Sequence, residues 1–403
     1  MHRMVAFGGN LLAFRANFGR QIPENRLAHV ILRYGTPVNL AAGGMPCVRP
    51  SSWVERRREA PMRVERTVIM NPSMWAKALR IIPRLDKDEW DHLDVISKWL
   101  IATRAAVLIM TFISAAIAGI FAFANGQFNF GLWLLVTVGL VMAHATNNLL
   151  NDLTDYRKGV DKDNYFRTQY GAQPIQQGLW TEKQLLTYAA VTGLIALVCG
   201  IALTILRGPA VLALLAAGAF FVLFYTWPLK YIGLGELAVI IVWGPLMIGG
   251  GYYVITGQWS WLVVLASLPY ALGPTTVIFG KHIDKHDPDK AKGIHTLPVI
   301  IGEKAARYVA LTMMALMYIL VIYLVITGFF TPVMLVVLLA LTLMPTMWRM
   351  YRQPYPSERP ADFPPEAWPT YFAAAAFMHN RRYGLLFIAG LLVDALLHVL
   401  KVA

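Results

Sequence analysis

Nine apolar runs, each close to the roughly 20 residues that cross a bilayer as a helix, leave this chain few options. They fall at 101–123, 129–150, 185–206, 209–226, 234–256, 259–280, 307–327, 331–348 and 383–400. Inside hydrocarbon every backbone donor and acceptor must find its partner in the protein, so runs of this length predict helices. Hydrophobic residues are 57% of the 403 and charged residues only 15%, outside the range of a soluble domain. The expected fold class is therefore all-α: a polytopic membrane bundle of nine transmembrane helices. Pro245, Pro269, Pro274 and the run Gly249 to Gly251 fall inside spans, where neighbouring helices can re-satisfy the freed backbone groups.

Loop charge orients the bundle. The loops after the even-numbered spans carry Arg157, Lys158, Lys162, Arg167, Lys183, Lys230, Lys281, Lys285, Lys290, Lys292, Lys304, Arg349, Arg352, Arg359, Arg381 and Arg382. The opposite loops are short, and Arg207 is nearly their only base. Positive loops stay cytoplasmic, so the even-numbered spans end on that side. The net charge of +13 follows from this topology and from anionic lipid headgroups, with no nucleic-acid partner required.

Residues 1–70 have a different composition, with eleven Arg and no Lys, against twelve Arg and thirteen Lys in the rest. They hold no span-length apolar run and no signal peptide, and the first fifty residues lack Ser, which argues against a transit sequence. This segment reads as a disordered Arg-rich leader or as a mis-annotated start, with the functional domain at 71–403. From Met74 to Trp99, Trp75, Leu79, Ile82, Trp90, Leu93 and Ile96 alternate with Lys and Arg, predicting one amphipathic interfacial helix. Cys47 and Cys199 form no disulfide framework and lack metal-ligand spacing. His282 and His286 read as polar neighbours of an acidic site.

That site is the chemical signal of the chain. Carboxylates beside a hydrocarbon core are costly, and two groups of them end spans two and six. In the first, Asn148, Asn151, Asp152 and Asp155 are spaced three or four apart wherever adjacent on one helix face. Their oxygens are hard ligands suited to Mg²⁺. The helix is expected to end near Gly159, with Asp161 and Asp163 on the loop. In the second, Lys281 and Asp284 are followed by Asp287, Pro288 and Asp289. Pro288 makes Asp287 the expected helix N-cap and leaves Asp284 and Asp289 as the better ligands. Lys290 and Lys292 are within reach of a phosphate.

The two groups lie four spans apart, a regular offset that hints at an internal repeat converging on one cavity. A diphosphate held beside carboxylates needs a divalent cation between them, with Lys and Arg on the remaining oxygens. Ionising an allylic C–O bond gives a carbocation, which acids stabilise and apolar walls shield from water. Candidate walls are Phe220, Phe221, Phe224, Tyr225, Trp227, Trp243, Tyr252, Tyr253 and Phe279.

The pattern Asn148-x-x-Asn151-Asp152-x-x-Asp155-x-x-x-Gly159-x-Asp161 resembles the first aspartate-rich motif of the UbiA superfamily of intramembrane prenyltransferases. Asp284-x-x-x-x-Asp289-x-x-x-Gly293-x-x-Thr296-Leu resembles its second, although the family commonly spaces its acids Asp-x-x-x-Asp. The resemblance covers about residues 75–403 and extends to Arg104, to Arg167 with Pro174 and Gly178, and to Tyr225-Thr-Trp-Pro-Leu-Lys230 with Gly233-Leu-Gly235-Glu236. It implies Mg²⁺ held by Asn148, Asn151, Asp152, Asp155 and Asp161 and by two of Asp284, Asp287 and Asp289. Asp152, Asp155, Asp284 and Asp289 would be catalytic. Arg104, Lys158, Arg167, Tyr225, Lys230 and Lys281, with Asn148, would contact the substrates, an isoprenoid diphosphate and an aromatic acceptor. The first motif is most similar to that of the 1,4-dihydroxy-2-naphthoate prenyltransferases of menaquinone synthesis, which implies a bacterial plasma membrane. 4-Hydroxybenzoate, homogentisate, haem, a chlorophyll precursor and a lipid remain open as acceptors. The rival class is a cation-coupled membrane transporter, which would carry ionisable residues through to the far side.

Overall fold

The computed structural model describes residues 70–160, 162 and 171–400; the Arg-rich leader lies outside this range. Among the described residues there are helices and turns but no strand. Three short helices come first, α1 (Pro72–Ala78), α2 (Lys87–Asp91) and α3 (Val95–Ala102). Among the described residues eight helices are long and apolar enough to cross a membrane: α4 (Ala105–Ala124), α5 (Phe130–Arg157), α6 (Glu182–Arg207), α8 (Gly235–Thr256), α9 (Trp261–Asp284), α12 (Glu303–Ile326), α13 (Pro332–Tyr351) and α14 (Tyr371–Val399). Apolar α7 (Pro209–Phe224) occupies the remaining expected span and is shorter, with sixteen residues. Two small helices, α10 (His286–Ala291) and α11 (Leu297–Ile301), link α9 to α12.

Two departures have local causes. The single amphipathic helix expected over 74–99 is three helices, because the Asn71, Asp86 and Asp94 side chains each accept a backbone N–H and start a new one. Asp94 is the strongest of these caps. It accepts from the backbone N–H of Ser97 at 2.9 Å, from Ser97 Oγ at 2.6 Å and from Trp75 Nε1 at 3.1 Å, so it ties α1 to α3. The last span begins at Tyr371, twelve residues before the expected start, because His379, Asn380, Arg381 and Arg382 interrupt the apolar pattern without breaking the helix.

The largest apolar core lies among α4, α8, α9, α12, α13 and α14. A second core joins α1–α3 to α5 and α6, with the Trp90 ring edge-on to Trp180 and Trp180 stacked on Tyr188 at 4.4 Å. In α8, Val242–Gly249 widens to a π-helical turn that accommodates Pro245, whose nitrogen has no hydrogen to donate. The ends of α5 and α9 meet at one end of the bundle. Lys292 Nζ, just past α10, donates to the carbonyls of Val160 at 2.5 Å and Lys162 at 2.9 Å, beyond the end of α5.

Candidate active site

A cavity of about 760 Å³ runs among α4–α9, walled mainly by aliphatic side chains such as Val136, Leu140, Leu214, Val242 and Leu246. One end is polar. Arg104, Asn148, Asn151, Asp155, Tyr225, Lys230, Lys281, His282, Lys285 and Asp289 all line the cavity, so both motifs contribute to a single chamber.

The first motif is held rigidly. Asn148, Asp152 and Asp155 are buried on the last three turns of α5. Asn148 donates to the Thr103 carbonyl at 2.8 Å, and Asn151 donates to Thr226 Oγ1 at 2.9 Å. Arg104 stands in the break between α3 and α4 with φ 57° and ψ 56°, left-handed backbone that a non-glycine residue rarely adopts. Such a conformation costs on the order of 1–3 kcal/mol and concentrates at functional sites. It delivers the guanidinium to Asp152, with which it forms an ion pair. Lys230 lies in the turn after α7 and grips Asp155 through both oxygens, at 2.9 and 3.1 Å. Beyond α5, Gly159 takes φ +67° as expected, and Val160 N–H returns to the Asp155 carbonyl at 2.9 Å.

The second motif differs from its sequence reading. Asp284 is buried, but its carboxylate accepts the backbone N–H of Phe372 at 2.7 Å and of Ala373 at 3.0 Å, in the first turn of α14. It does not line the cavity. Asp287 is not the N-cap: α10 starts at His286, and the Asp287 side chain is 93% exposed beside His286. Of the three acids only Asp289 faces the cavity, paired with Lys285 at 3.1 Å. The second motif thus presents two lysines and one carboxylate rather than a pair of acids.

Other expected positions move as well. Lys158 lies outside the cavity wall, its ammonium 5.1 Å from the Trp227 ring and 5.2 Å from that of Tyr231. Asp161 and Arg167 lie outside the described residues. Of the nine aromatic wall candidates, Phe221, Tyr225 and Trp243 line the cavity. Phe220, Phe224 and Trp227 are exposed, and Tyr252 and Phe279 belong to the core; Tyr253 packs near α7. The sequence reading missed Lys285, which the acids around it hid. It also missed the pairing of His282 Nδ1 with Glu236 Oε1 at 2.5 Å, which joins residues 46 apart and which no local spacing signals.

The donor set of the first motif suits a hard divalent cation. Two buried carboxylates and two amide side chains share one helix face, and each carboxylate is now met by a protein cation from another element. Among the described residues no three His, Cys, Asp or Glu side chains are close enough together to hold an ion by themselves. An ion held there would need the amides and Asp289 to complete its ligand set. A second ion held by two carboxylates of the second motif does not fit, since Asp284 is committed to α14.

The family model described as the UbiA prenyltransferase family matches residues 112–393. The UbiA prenyltransferase domain-containing protein 1 homolog of Drosophila melanogaster is 26% identical over 223 residues, covering 53% of this chain and 60% of its own length. The 1,4-dihydroxy-2-naphthoate octaprenyltransferase of Escherichia coli (strain K12) is 26% identical over 220 residues, 52% of this chain and 70% of that protein. The apo structure of a UbiA homolog from Aeropyrum pernix K1 superposes with a TM-score of 0.55 at 19% identity, over 71% of this chain and 98% of that one. At that identity the likeness is one of fold.

Proposed function

Because the chain belongs to the UbiA prenyltransferase family, we propose that it transfers a prenyl chain from an isoprenoid diphosphate to an aromatic acceptor. The observation that carries this reading is the division of the cavity. A long apolar chamber suits a prenyl tail, and four cations with two carboxylates at one end suit a metal-bound diphosphate. By the positive-inside argument that end faces the cytoplasm.

Asp152, Asp155 and the side-chain oxygens of Asn148 and Asn151 would hold Mg²⁺, with Asp289 opposite. When bound, the ion offsets the charge that leaves with pyrophosphate. Arg104, Lys230, Lys281 and Lys285 donate to diphosphate oxygens, fixing the allylic C1 at the top of the apolar chamber. Phe221, Trp243 and the aliphatic walls keep most water from the carbocation, so that without an acceptor its hydrolysis, and with it pyrophosphate release, is slow. Asp284 contributes by fixing α14, not as a ligand.

Relatives named for naphthoate acceptors support 1,4-dihydroxy-2-naphthoate as the acceptor here, with menaquinone as the downstream product. The transporter reading is not favoured: Asp394, an acid in the last span, is taken up locally by Thr331 N–H and Oγ1 at 2.7 Å and by His398 at 3.6 Å. The test incubates purified protein with Mg²⁺, geranylgeranyl diphosphate and a panel of hydroxylated aromatic acids, with products read by mass spectrometry. Prenylated, decarboxylated naphthoate is the expected product. Transfer only to a different ring would replace the acceptor, and transfer to none of them would reject the reading.

A further inference from the structure

Glu236 and His282 form a buried pair at the polar end of the cavity that the proposed chemistry leaves without a task. His282 is 5% exposed and Glu236 1%. Glu236 sits in the first turn of α8 and His282 in the last turn of α9. Glu236 Oε1 meets His282 Nδ1 at 2.5 Å, and Oε2 accepts the Leu297 N–H at 3.4 Å. The carboxylate is therefore held by two elements and can only accept a hydrogen bond. That places the hydrogen of a neutral imidazole on Nδ1 and leaves the lone pair on Nε2. Among the described residues Nε2 has no protein partner, and His282 lines the cavity beside Lys281 and Lys285.

A link serving only to join α8 to α9 would not need a cavity-facing ring, and an apolar pair of similar volume would join the helices at least as well. A base oriented by a carboxylate, with its free nitrogen toward the substrate, is an arrangement that recurs wherever a hydroxyl must lose a proton. The prenyl acceptor is such a hydroxyl compound, so the inference rests on the reading proposed above.

We infer that His282, oriented by Glu236, accepts the hydroxyl proton of the acceptor ring as the ring attacks. The ring O–H bond breaks and its proton moves to Nε2. The ring carbon beside the oxygen forms the new C–C bond to C1 of the prenyl chain. The C1–O bond breaks, and its electron pair leaves on pyrophosphate. Loss of the ring proton to pyrophosphate, or of carbon dioxide from a carboxylated ring carbon, restores aromaticity as a phenolate, and the imidazolium returns its proton to that oxygen. His282 touches the acceptor; Glu236 acts through it as a positioning residue.

The test compares His282→Ala and Glu236→Gln with the wild-type protein in two assays. One is prenyl transfer to acceptors of graded hydroxyl acidity, and the other is Mg²⁺-dependent pyrophosphate release without acceptor. General bases contribute about 10²–10⁴-fold, so His282→Ala should transfer about 100-fold more slowly or worse, most severely with the least acidic hydroxyl. Pyrophosphate release should persist, and added imidazole should restore transfer. Glu236→Gln can donate to Nδ1 and so favours the wrong tautomer; it should also slow transfer without imidazole rescue, and it serves alone if His282→Ala does not fold. Equal loss in both assays, or transfer at the wild-type rate in both variants, overturns the inference. A wild-type protein that releases no pyrophosphate and prenylates nothing would instead reject the prenyltransferase reading itself.

Discussion

The Asp284 carboxylate seats the backbone N–H of Phe372 at 2.7 Å, so the end of α9 clamps the start of α14. The same carboxylate takes the Ala373 N–H at 3.0 Å, and Gly280, one turn earlier, brings the helices so close that a Cβ there would fall 2.8 Å from the Phe372 backbone. The negative charge also lies at the positive end of the helix dipole.

Asp284 should therefore behave as a structural residue. Losing a cap costs about 0.5–2 kcal/mol, and each charge-assisted bond about 1.5–3 kcal/mol. Asp284→Ala should lower the thermal midpoint clearly in detergent. Asp284→Asn, which keeps one acceptor, should fall between that variant and wild type and retain measurable turnover. Asp284→Asn with unchanged stability and no turnover would restore it to the ligand set.

Asp155 and Lys230 give the opposite pattern. Asp155→Asn removes the carboxylate that faces the cavity and leaves the partly buried Lys230 without its charge partner, a change that costs less than the about 3–5 kcal/mol of a fully buried pair. Lys230→Met leaves Asp155 available but removes a diphosphate contact. Steady-state kinetics should show Asp155→Asn nearly inactive at any Mg²⁺ concentration. Lys230→Met should raise KM for the isoprenoid diphosphate while some kcat remains. Equal kcat in Asp155→Asn and wild type would exclude this carboxylate from the chemistry.

The α1–α3 segment carries a pH dependence of its own. Burial pushes the Asp94 carboxyl up, but the hydrogen bonds from Ser97, Trp75 and Asn71 overcome it and hold the group at about 2, below its ordinary 3.8. A depressed carboxyl stabilises the fold above its unfolded value and loses that contribution as pH falls. Limited proteolysis between Met70 and Ala105 should therefore increase as pH drops from about 4 toward 2, and Asp94→Asn should show the same susceptibility at neutral pH. Susceptibility that is independent of pH in the wild-type protein would remove Asp94 from this role.

The spans and the first motif were legible because each rests on one local pattern. Hydropathy set the spans to within about four residues except at the end of α5, where the helix runs seven residues past the apolar run, and at the start of α14. Three-and-four spacing put Asn148, Asp152 and Asp155 on one face, where the structure has them buried. The second motif was misread because the partner of Asp284 is a backbone N–H 88 residues away, which no local spacing reveals. Asp287 looked like a cap because Pro288 follows it, yet Lys285 ends α9 and the next helix starts at His286. The pairing of Glu236 with His282 bridges 46 residues and two helices, so it emerged only from the packing.

The central claim, that one cavity brings the Asp155 and Asp289 ends of both motifs to a metal-bound diphosphate, is tested most directly by pyrophosphate release. Purified protein with geranylgeranyl diphosphate would be assayed in Mg²⁺, in EDTA, and in Mg²⁺ after Asp155→Asn or Asp289→Asn substitution. The account predicts release in Mg²⁺ alone, its loss in EDTA with recovery on adding Mg²⁺ back, and near-complete loss in both variants. Full release in EDTA, or undiminished release in both variants, would contradict it.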